Sequence, residues 1–496
     1  MGTQIAASDL TWLLMDRPNN LMHVHGIWEF DELPELEEVR QAVLDRVVTK
    51  YRVLSQVPVQ RHGRWEWADD VDFEIERHVY RVVLEDSRPE TLRAYVASVF
   101  ATPFDRSVPL WDTQIVSGPP DDGPGGVILS RFHHGLGDGI RLVQLVLGMC
   151  DPKEGAVPPK VGKEHHGVID RVLHVTQHTI KDSIDYFQHA GDAVAKVGRQ
   201  VWATANPLEL PHHFETALDL ARHPVRLIDA LTSVTEDDNE ISNSWREIGR
   251  LLLHEKADAG AWSGHPGIEK RIDWLADLEL ARIQKTAKTY GVTVNDVLTS
   301  LVSMALTDYL VERGVEQVHD LAWMMPVSLQ PIDGRLPDEL GNHFCVVLFE
   351  MPLGMADPEA LMEEVHHRAT RLKNSAEPAV AFGMQWVVAE APSAIAKRLT
   401  DHFSGKTIGQ LSNVPGPRTE LSFVGKPIRA MLGWVPTSGD QPIGLCLFSY
   451  NGTVGVGVAT DARMIPDPER ILALVREHYD KLIGAVGERP DPSRRP

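Results

Sequence analysis

The segment Val127-Ile128-Leu129-Ser130-Arg131-Phe132-His133-His134-Gly135-Leu136-Gly137-Asp138-Gly139 passes from a largely apolar run, through two histidines, into a glycine-rich turn and an Asp-Gly pair. The apolar run predicts a short buried strand, and Asp138-Gly139 opens a helix over about Ile140 to Met149. Strand ends above such turns are where α/β proteins carry reacting groups. Three readings of these residues stay open. A histidine here can be a general base titrating near neutrality. It can equally be a core histidine. Asp138 then caps the helix or holds the loop through a buried ion pair, and Gly139 supplies a backbone angle other residues resist. A metal set of His133, His134 and Asp138 is the weakest, because neighbours on a strand point to opposite faces.

Elements of both kinds flank this segment. Upstream, the pattern predicts helices over Ser8 to Met15, Leu36 to Val48 and Glu90 to Phe100. Strands are predicted over His23 to Phe30, Arg64 to Ala68 and Trp111 to Val116. After Cys150 the character changes. Asp151 to Lys163 carries Pro152, Pro158 and Pro159 and reads as a linker, and helical spacing alone follows to about Lys256. A second alternating stretch then begins. It predicts strands over Arg271 to Leu275, Leu321 to Pro326 and Phe344 to Phe349, and helices over Asp277 to Tyr290, Val294 to Arg313 and Pro358 to Leu372. A strand-rich region from Thr407 to Ala459 and a closing helix over Asp467 to Ile483 complete it. The chain reads as α/β, with an N-terminal half over 1–150, a helical connection over 151–260 and a C-terminal half over 261–496.

The net charge of −21 argues against general attraction to nucleic acid or anionic lipid. No run of about 20 apolar residues is present, and Leu10 to Met15 is flanked by Asp9 and Asp16, unlike a signal peptide. Ala6 stands where a myristoylation site wants Ser or Thr. Cys150, Cys345 and Cys446 are too scattered for a disulfide framework and fit a reducing compartment. These bounds lead to the expectation of a soluble, intracellular protein whose membrane contact is peripheral. Gly405-Lys406-Thr407 lacks the earlier glycine of a phosphate loop, since Thr400 stands there, and G-x-S-x-G and H-E-x-x-H are absent. Among 22 histidines three further adjacent pairs occur. His366-His367, beside Glu363, Glu364 and Arg368, reads as a solvated face; His165-His166 and His212-His213 fall at a linker and an element boundary.

His133-His134-Gly135-Leu136-Gly137-Asp138-Gly139 resembles the HHxxxDG signature of CoA-dependent acyltransferases. Other segments narrow the resemblance: Pro109-Leu110-Trp111, Asn295-Asp296-Val297-Leu298, Pro326-Val327-Ser328-Leu329, Gly341-Asn342, Ser412-Asn413-Val414-Pro415-Gly416-Pro417 and Ser449-Tyr450-Asn451-Gly452. With the opening Ser8-Asp9, Asn19, Met22 and His23, and in this order, they resemble the bacterial wax ester synthase/acyl-CoA:diacylglycerol acyltransferase family over nearly the whole chain. The Gly-Leu-Gly triplet, Arg141 and the segment Trp262 to Gly267 depart from its usual pattern.

The resemblance implies two chloramphenicol-acetyltransferase-like domains with a tunnel between them. It implies acyl-CoA as a substrate, diacylglycerol or a long-chain alcohol as acceptor, and no metal or cofactor. His134, rather than His133, is then the general base and Asp138 orients its loop. His133, Gly139, Asn295, Ser412 and Asn413 are candidate substrate contacts. For Asn295 a plain helix N-cap, and for Ser412-Asn413 a β-turn, are the structural alternatives. The neighbouring functions are an acyltransferase with a non-lipid acceptor and a weakly active acyl-binding paralogue. The expected location is cytoplasmic, at the inner membrane or lipid-droplet surface.

Overall fold

The computed structural model describes residues 2–151, 262, 264–328, 340–342, 344–374 and 404–488. The expected connection, beyond Asp151, and the histidine pairs at 165–166 and 212–213 lie outside the described residues.

The N-terminal part runs β1 (Thr3–Gln4), α1 (Ala7–Met15), β2 (His23–Phe30), α2 (Leu36–Val43), β3 (Gln56–Arg61), β4 (Arg64–Asp69), β5 (Val79–Val83), α3 (Pro89–Phe100), β6 (Trp111–Ser117), β7 (Gly126–His133) and α4 (Gly139–Gly148). A π-helical turn over Leu44–Val48 continues α2. The later part runs β8 (Lys270–Glu279), α5 (Leu280–Tyr290), α6 (Val294–Glu312), β9 (Leu321–Ser328), β10 (Phe344–Met351), α7 (Pro358–Asn374), β11 (Gly409–Val414), β12 (Ser422–Phe423), β13 (Lys426–Pro427), β14 (Ala430–Trp434), β15 (Ile443–Tyr450), β16 (Thr453–Asp461) and α8 (Pro468–Glu488).

Two large sheets organise the molecule. One has the order β14-β2-β7-β6-β5, the other β10-β9-β11-β15-β16-β8. In the first, β5 and β6 are parallel and the other pairs antiparallel; in the second, β11 is parallel to both its neighbours. This two-part α/β architecture is the expected fold class.

Strand β14 joins the halves. It comes from the later part of the chain yet pairs with β2, Trp434 opposite His25 and Gly433 opposite Gly26. Glycines let it lie close against β16. A Cβ on Gly455 would come 2.7 Å from Leu432 Cδ2, and one on Gly457 2.8 Å from Trp434 Nε1. At β8 the structure corrects a boundary: pairing with β16 extends to Glu279 opposite Thr453, so α5 starts at Leu280 rather than Asp277. Gly291, at φ 69°, ends α5 in the left-handed region. Thr293 and Asp296 form a capping box that starts α6, which is buried almost all round.

Candidate functional site

Strand β7 ends at His133, a 3₁₀ turn follows over His134–Leu136, and Asp138 caps α4. The two histidine rings have separate environments. His133 is fully buried and stands opposite His23 across the β2–β7 ladder. Its Nδ1 accepts the Gly135 amide at 2.9 Å, so Nε2 carries the proton and donates to Asp16 Oδ2 at 3.1 Å. Asp16 also accepts the Met22 amide at 2.7 Å and Arg106 Nη2 at 3.1 Å. Burial pushes the Asp16 carboxyl up. The His133 hydrogen bond, the His133 and His23 rings and the Met22 amide outweigh burial and hold it well below the usual carboxylate range. Gly135 is needed for close approach, since a Cβ there would come 2.8 Å from Leu13 Cγ.

His134 is held by its backbone. Its amide donates to the Met22 carbonyl at 2.7 Å, and its carbonyl accepts Asn342 Nδ2 at 3.0 Å. Trp12 stacks on the imidazole with centroids 4.1 Å apart and planes inclined by 26°; Phe344 lies at 5.5 Å. Burial pulls the His134 pKa down to about 3. The residue's own carbonyl and the Asn342 side chain oppose that shift, and His133 adds to it. The imidazole is therefore neutral at pH 7, the state that accepts a proton. Nδ1 is buried without a hydrogen-bond partner.

The His134 ring lines a cavity of about 1110 Å³, its open mouth included. Trp28, Phe132 and Val146 border it on the N-terminal side, and Ser412, Asn413 and Phe448 on the other. Ser412 and Asn413 belong to strand β11, not to a turn. Asn295 is not among the lining residues. Its Oδ1 accepts Asn413 Nδ2 at 2.7 Å, so it positions Asn413 from behind, and Thr293, not Asn295, is the helix cap. His133 likewise does not border the cavity; both its ring nitrogens are taken by Gly135 and Asp16.

Asp138 and Gly139 both line the cavity. Asp138 Oδ1 accepts the Arg141 amide at 2.9 Å as a helix cap, and its own amide donates to the Gly341 carbonyl at 3.1 Å. Gly139 corrects an expectation. It is not among the positive-φ glycines, and a Cβ would meet nothing within 4 Å. What its missing side chain leaves is open space, not a special backbone angle. The His366-His367 face is solvated as expected at Glu363 and His367, while the half-buried His366 also turns Nδ1 to within 2.6 Å of Oδ2 of the fully buried Asp296.

The chemistry of a metal site fits poorly. Asp16, His23 and His133 bring ligand-type atoms within 4.8 Å of one another. However, the Gly135 amide occupies His133 Nδ1, leaving a protonated Nε2 with no lone pair for a cation. Arg106 shares the same carboxylate oxygen as His133. The alternative set of His133, His134 and Asp138 is not brought together among the described residues.

Three site residues escape the sequence reading: Trp12, Asp16 and, in its role, Asn342. Trp12 and Asp16 lie in and just after an ordinary amphipathic helix. Only the fold brings that helix to the turn at His134.

Solved structures share this architecture. The starter condensation domain of rhizomide synthetase aligns with a TM-score of 0.53 at 12% identity, covering 98% of this chain and 95% of that one. The wax ester synthase/diacylglycerol acyltransferase from Marinobacter aquaeolei VT8 aligns with a TM-score of 0.62 at 18% identity, covering 98% and 100%. The fold is thus the two-domain one shared by that wax ester synthase/diacylglycerol acyltransferase and the condensation domain. The family is more specific. The wax ester synthase/diacylglycerol acyltransferase catalytic domain matches residues 5–298, and the WS/DGAT C-terminal domain matches 340–483. The chain belongs to the wax ester synthase/diacylglycerol acyltransferase family. Its relatives include a probable diacylglycerol O-acyltransferase of Mycobacterium tuberculosis H37Rv, 23% identical over 87% of this chain and 84% of that protein. An O-acyltransferase of Acinetobacter baylyi is 20% identical over 97% of both.

Proposed function

We infer that this protein moves a fatty acyl group from acyl-CoA to a diacylglycerol or a long-chain alcohol, giving triacylglycerol or a wax ester. The observation that carries this reading is a neutral imidazole, His134, on the wall of a large, mainly apolar cavity between the two sheets. In the proposed reaction, His134 takes the proton of the acceptor hydroxyl as its oxygen attacks the thioester carbonyl. The tetrahedral oxyanion then collapses, the C–S bond breaks, and the imidazolium returns its proton to the leaving thiolate. Ser412 and Asn413, which border the cavity, are the proposed donors to the oxyanion or the substrate, with Asn295 fixing Asn413. Asp138 shapes the loop. No step in this scheme calls for a metal or cofactor. Apolar walls suit the chemistry, because water would compete with the alcohol for the thioester.

No described helix is long and apolar enough to cross a membrane. We propose that the protein meets its lipids at a membrane or droplet surface as a peripheral protein in the cytoplasm. The test of the activity is release of free thiol from acyl-CoA, with product identified by mass spectrometry, across diacylglycerols, long-chain alcohols and water-soluble alcohols. Turnover with water-soluble alcohols alone would replace the lipid reading, and no turnover with any acceptor would leave an acyl-binding protein.

A further inference from the structure

The floor of the main cavity lacks two side chains. Strands β2 and β14 pair with Gly26 opposite Gly433 and, two residues on, Trp28 opposite Met431. Residues two apart on a strand share a face, and all four line the cavity. Neither glycine is at positive φ. Among the described residues, a Cβ on Gly26 would meet only the Leu432 carbonyl oxygen, at 3.8 Å, and one on Gly433 only that of His25, at 3.3 Å. Both contacts are backbone of the same sheet. The chain conformation therefore does not demand glycine at either place. What the pair supplies is a gap in an interior that is otherwise close-packed.

The gap lies along a slot that leads away from His134. The His134 amide is bonded to the Met22 carbonyl, and β2 runs from there through Gly26 to Trp28. Helix α4 starts at the same turn and lies over the slot, with Gly139, Val143 and Val146 on one face lining the cavity. Helix and strand converge at the far end. Asp151, just past α4, donates its amide to the Ser422 carbonyl at 2.8 Å, and the next residue, Phe423, packs edge-on against Trp28 with centroids 5.3 Å apart. Gly26, Gly433, Val143 and Val146 each keep some accessible surface, whereas Trp28 and Met431 are 4% and 3% exposed. The slot is thus open at the glycine pair and closed just beyond it.

The strand serves as a ruler. At about 3.3 Å per residue, Gly26 lies roughly 13 Å along β2 from Met22, and Trp28 roughly 20 Å. An extended chain advances about 1.2 Å per bond, which puts the glycine pair roughly eleven bonds and the closure roughly sixteen bonds from the histidine end. A thioester brings one alkyl chain to the reaction. A diacylglycerol brings two, which suits the open mouth and not a slot with a closed end. We propose that the slot holds the acyl chain of the donor, and that Gly26 and Gly433 with Trp28 and Met431 set the chain length the protein accepts. The bare pair admits chains of up to about sixteen carbons, and Trp28 stops longer ones. This rests on the acyl-transfer reading above.

The experiment measures kcat/KM for octanoyl-, lauroyl-, palmitoyl- and arachidoyl-CoA with hexadecanol as the fixed acceptor. Wild type, Gly26→Ala and Gly26→Val are compared, with Tm recorded for each. A second series varies the alcohol from octanol to hexadecanol with octanoyl-CoA as the fixed donor. Valine suits a strand, so the fold is expected to persist in Gly26→Val. Each methylene refused its buried place costs about fourfold. The expected result is a fall of at least about tenfold in the palmitoyl-to-octanoyl ratio for Gly26→Val, where several methylenes are refused. A smaller fall is expected for Gly26→Ala, and no change in the alcohol series. In wild type, arachidoyl-CoA is expected to fall below palmitoyl-CoA. An unchanged donor ratio in Gly26→Val overturns the proposal while leaving acyl transfer intact. A shift confined to the alcohol series gives the slot to the acceptor and overturns it as well, and so does an equal loss on every donor that follows Tm. Arachidoyl-CoA used as well as palmitoyl-CoA by wild type overturns the closure at Trp28. A wild type that releases thiol from no donor with any alcohol overturns the acyl-transfer reading itself.

Discussion

Asn342 Nδ2 donates to the main-chain oxygen of His134 at 3.0 Å and to Asp9 Oδ1 at 2.8 Å. One side chain from the later part of the chain thus ties α1 to the turn that carries the imidazole. The two acceptors also fix the amide's orientation, because only its NH₂ end satisfies both. Asn342 Oδ1 is left buried and unpartnered, while the side chain favours the protonated form of His134. Asn342→Leu therefore removes both the tie and a group that supports the imidazolium. The His134 carbonyl keeps the Gly137 amide at 3.3 Å, so the direct loss is that of one hydrogen bond, about 0.5–1.5 kcal/mol. The expected outcome is a loss of at least about tenfold in kcat with the acyl-CoA KM little changed. Steady-state kinetics beside thermal melts check it, and a variant with wild-type kcat refutes it.

His134 and His133 are predicted to separate in function. His134→Ala should lower kcat by about 10²–10⁴, the usual contribution of a general base, while the fold persists. His133→Ala removes one of the two partners of Asp16 Oδ2, leaving Arg106, and the acceptor of the buried Gly135 amide, and should show first as a lower Tm. Near-normal turnover in His134→Ala would remove that imidazole from the chemical step.

The Asp138 cap sets a contrast between two substitutions. Asn caps a helix about as well as Asp, whereas Ala loses about 1 kcal/mol. Asp138→Ala should thus lower Tm clearly, and Asp138→Asn much less, with activity following stability in both. Activity lost in Asp138→Asn at an unchanged Tm would move the carboxylate, which borders the cavity, into catalysis.

The local elements were legible because their periodicity is set by the same burial that the fold uses. His23 to Phe30 alternates, and the strand occupies those residues. Three strands have no counterpart in the sequence pattern, the two-residue β1 and two others with physical reasons. Gln56–Arg61 contains Pro58, which an edge strand tolerates because it need not donate on both sides, and β3 is an edge. Val79–Val83 has Arg81 on its exposed side in a short run. Long-range pairing left no local trace. Nothing in Ala430–Trp434 announces a partner about 400 residues away at β2, nor does Trp12 announce that it will cover His134. Of the motif, strand alternation led to the expectation of two different histidine environments, but β7 ends at His133, and His134 takes its direction from the 3₁₀ turn that follows. The need for Gly139 was misread, because a glycine at a helix start need not be there for its backbone.

Buried neutral histidines make the protein sensitive to acid. His23, His25 and His134 are all held below the ordinary value by burial, His134 at about 3. Unfolding releases them to about 6.5, so between the folded and unfolded values the unfolded chain binds more protons. Their contribution to stability is complete above about pH 6.5 and is lost as pH falls below it. The slope reaches about 1.4 kcal/mol per pH unit for each histidine. Tm should drop steeply from pH 6.5 to 5, with protons taken up on unfolding. In the same range kcat/KM should show no acid limb near 6.5, because His134 in the free enzyme stays neutral. A limb at that pH, or a flat Tm, contradicts this account.

Attachment to lipid is predicted to be apolar in origin. The net charge is −21 and no described helix crosses a bilayer, while the proposed products are insoluble in water. An electrostatic attachment would weaken steeply with salt, since exposed charges are screened over about 10 Å at 0.1 M. Apolar insertion is insensitive to that screening and strengthens slightly in sulfate, which is excluded from protein surfaces. Sedimentation with phosphatidylcholine vesicles across a sodium chloride series, repeated in sodium sulfate, separates the two. Binding that persists at high salt supports apolar contact. Loss of binding by moderate salt points instead to a local basic patch. Absence of binding at every salt concentration means that the protein draws its lipids from solution or from a carrier.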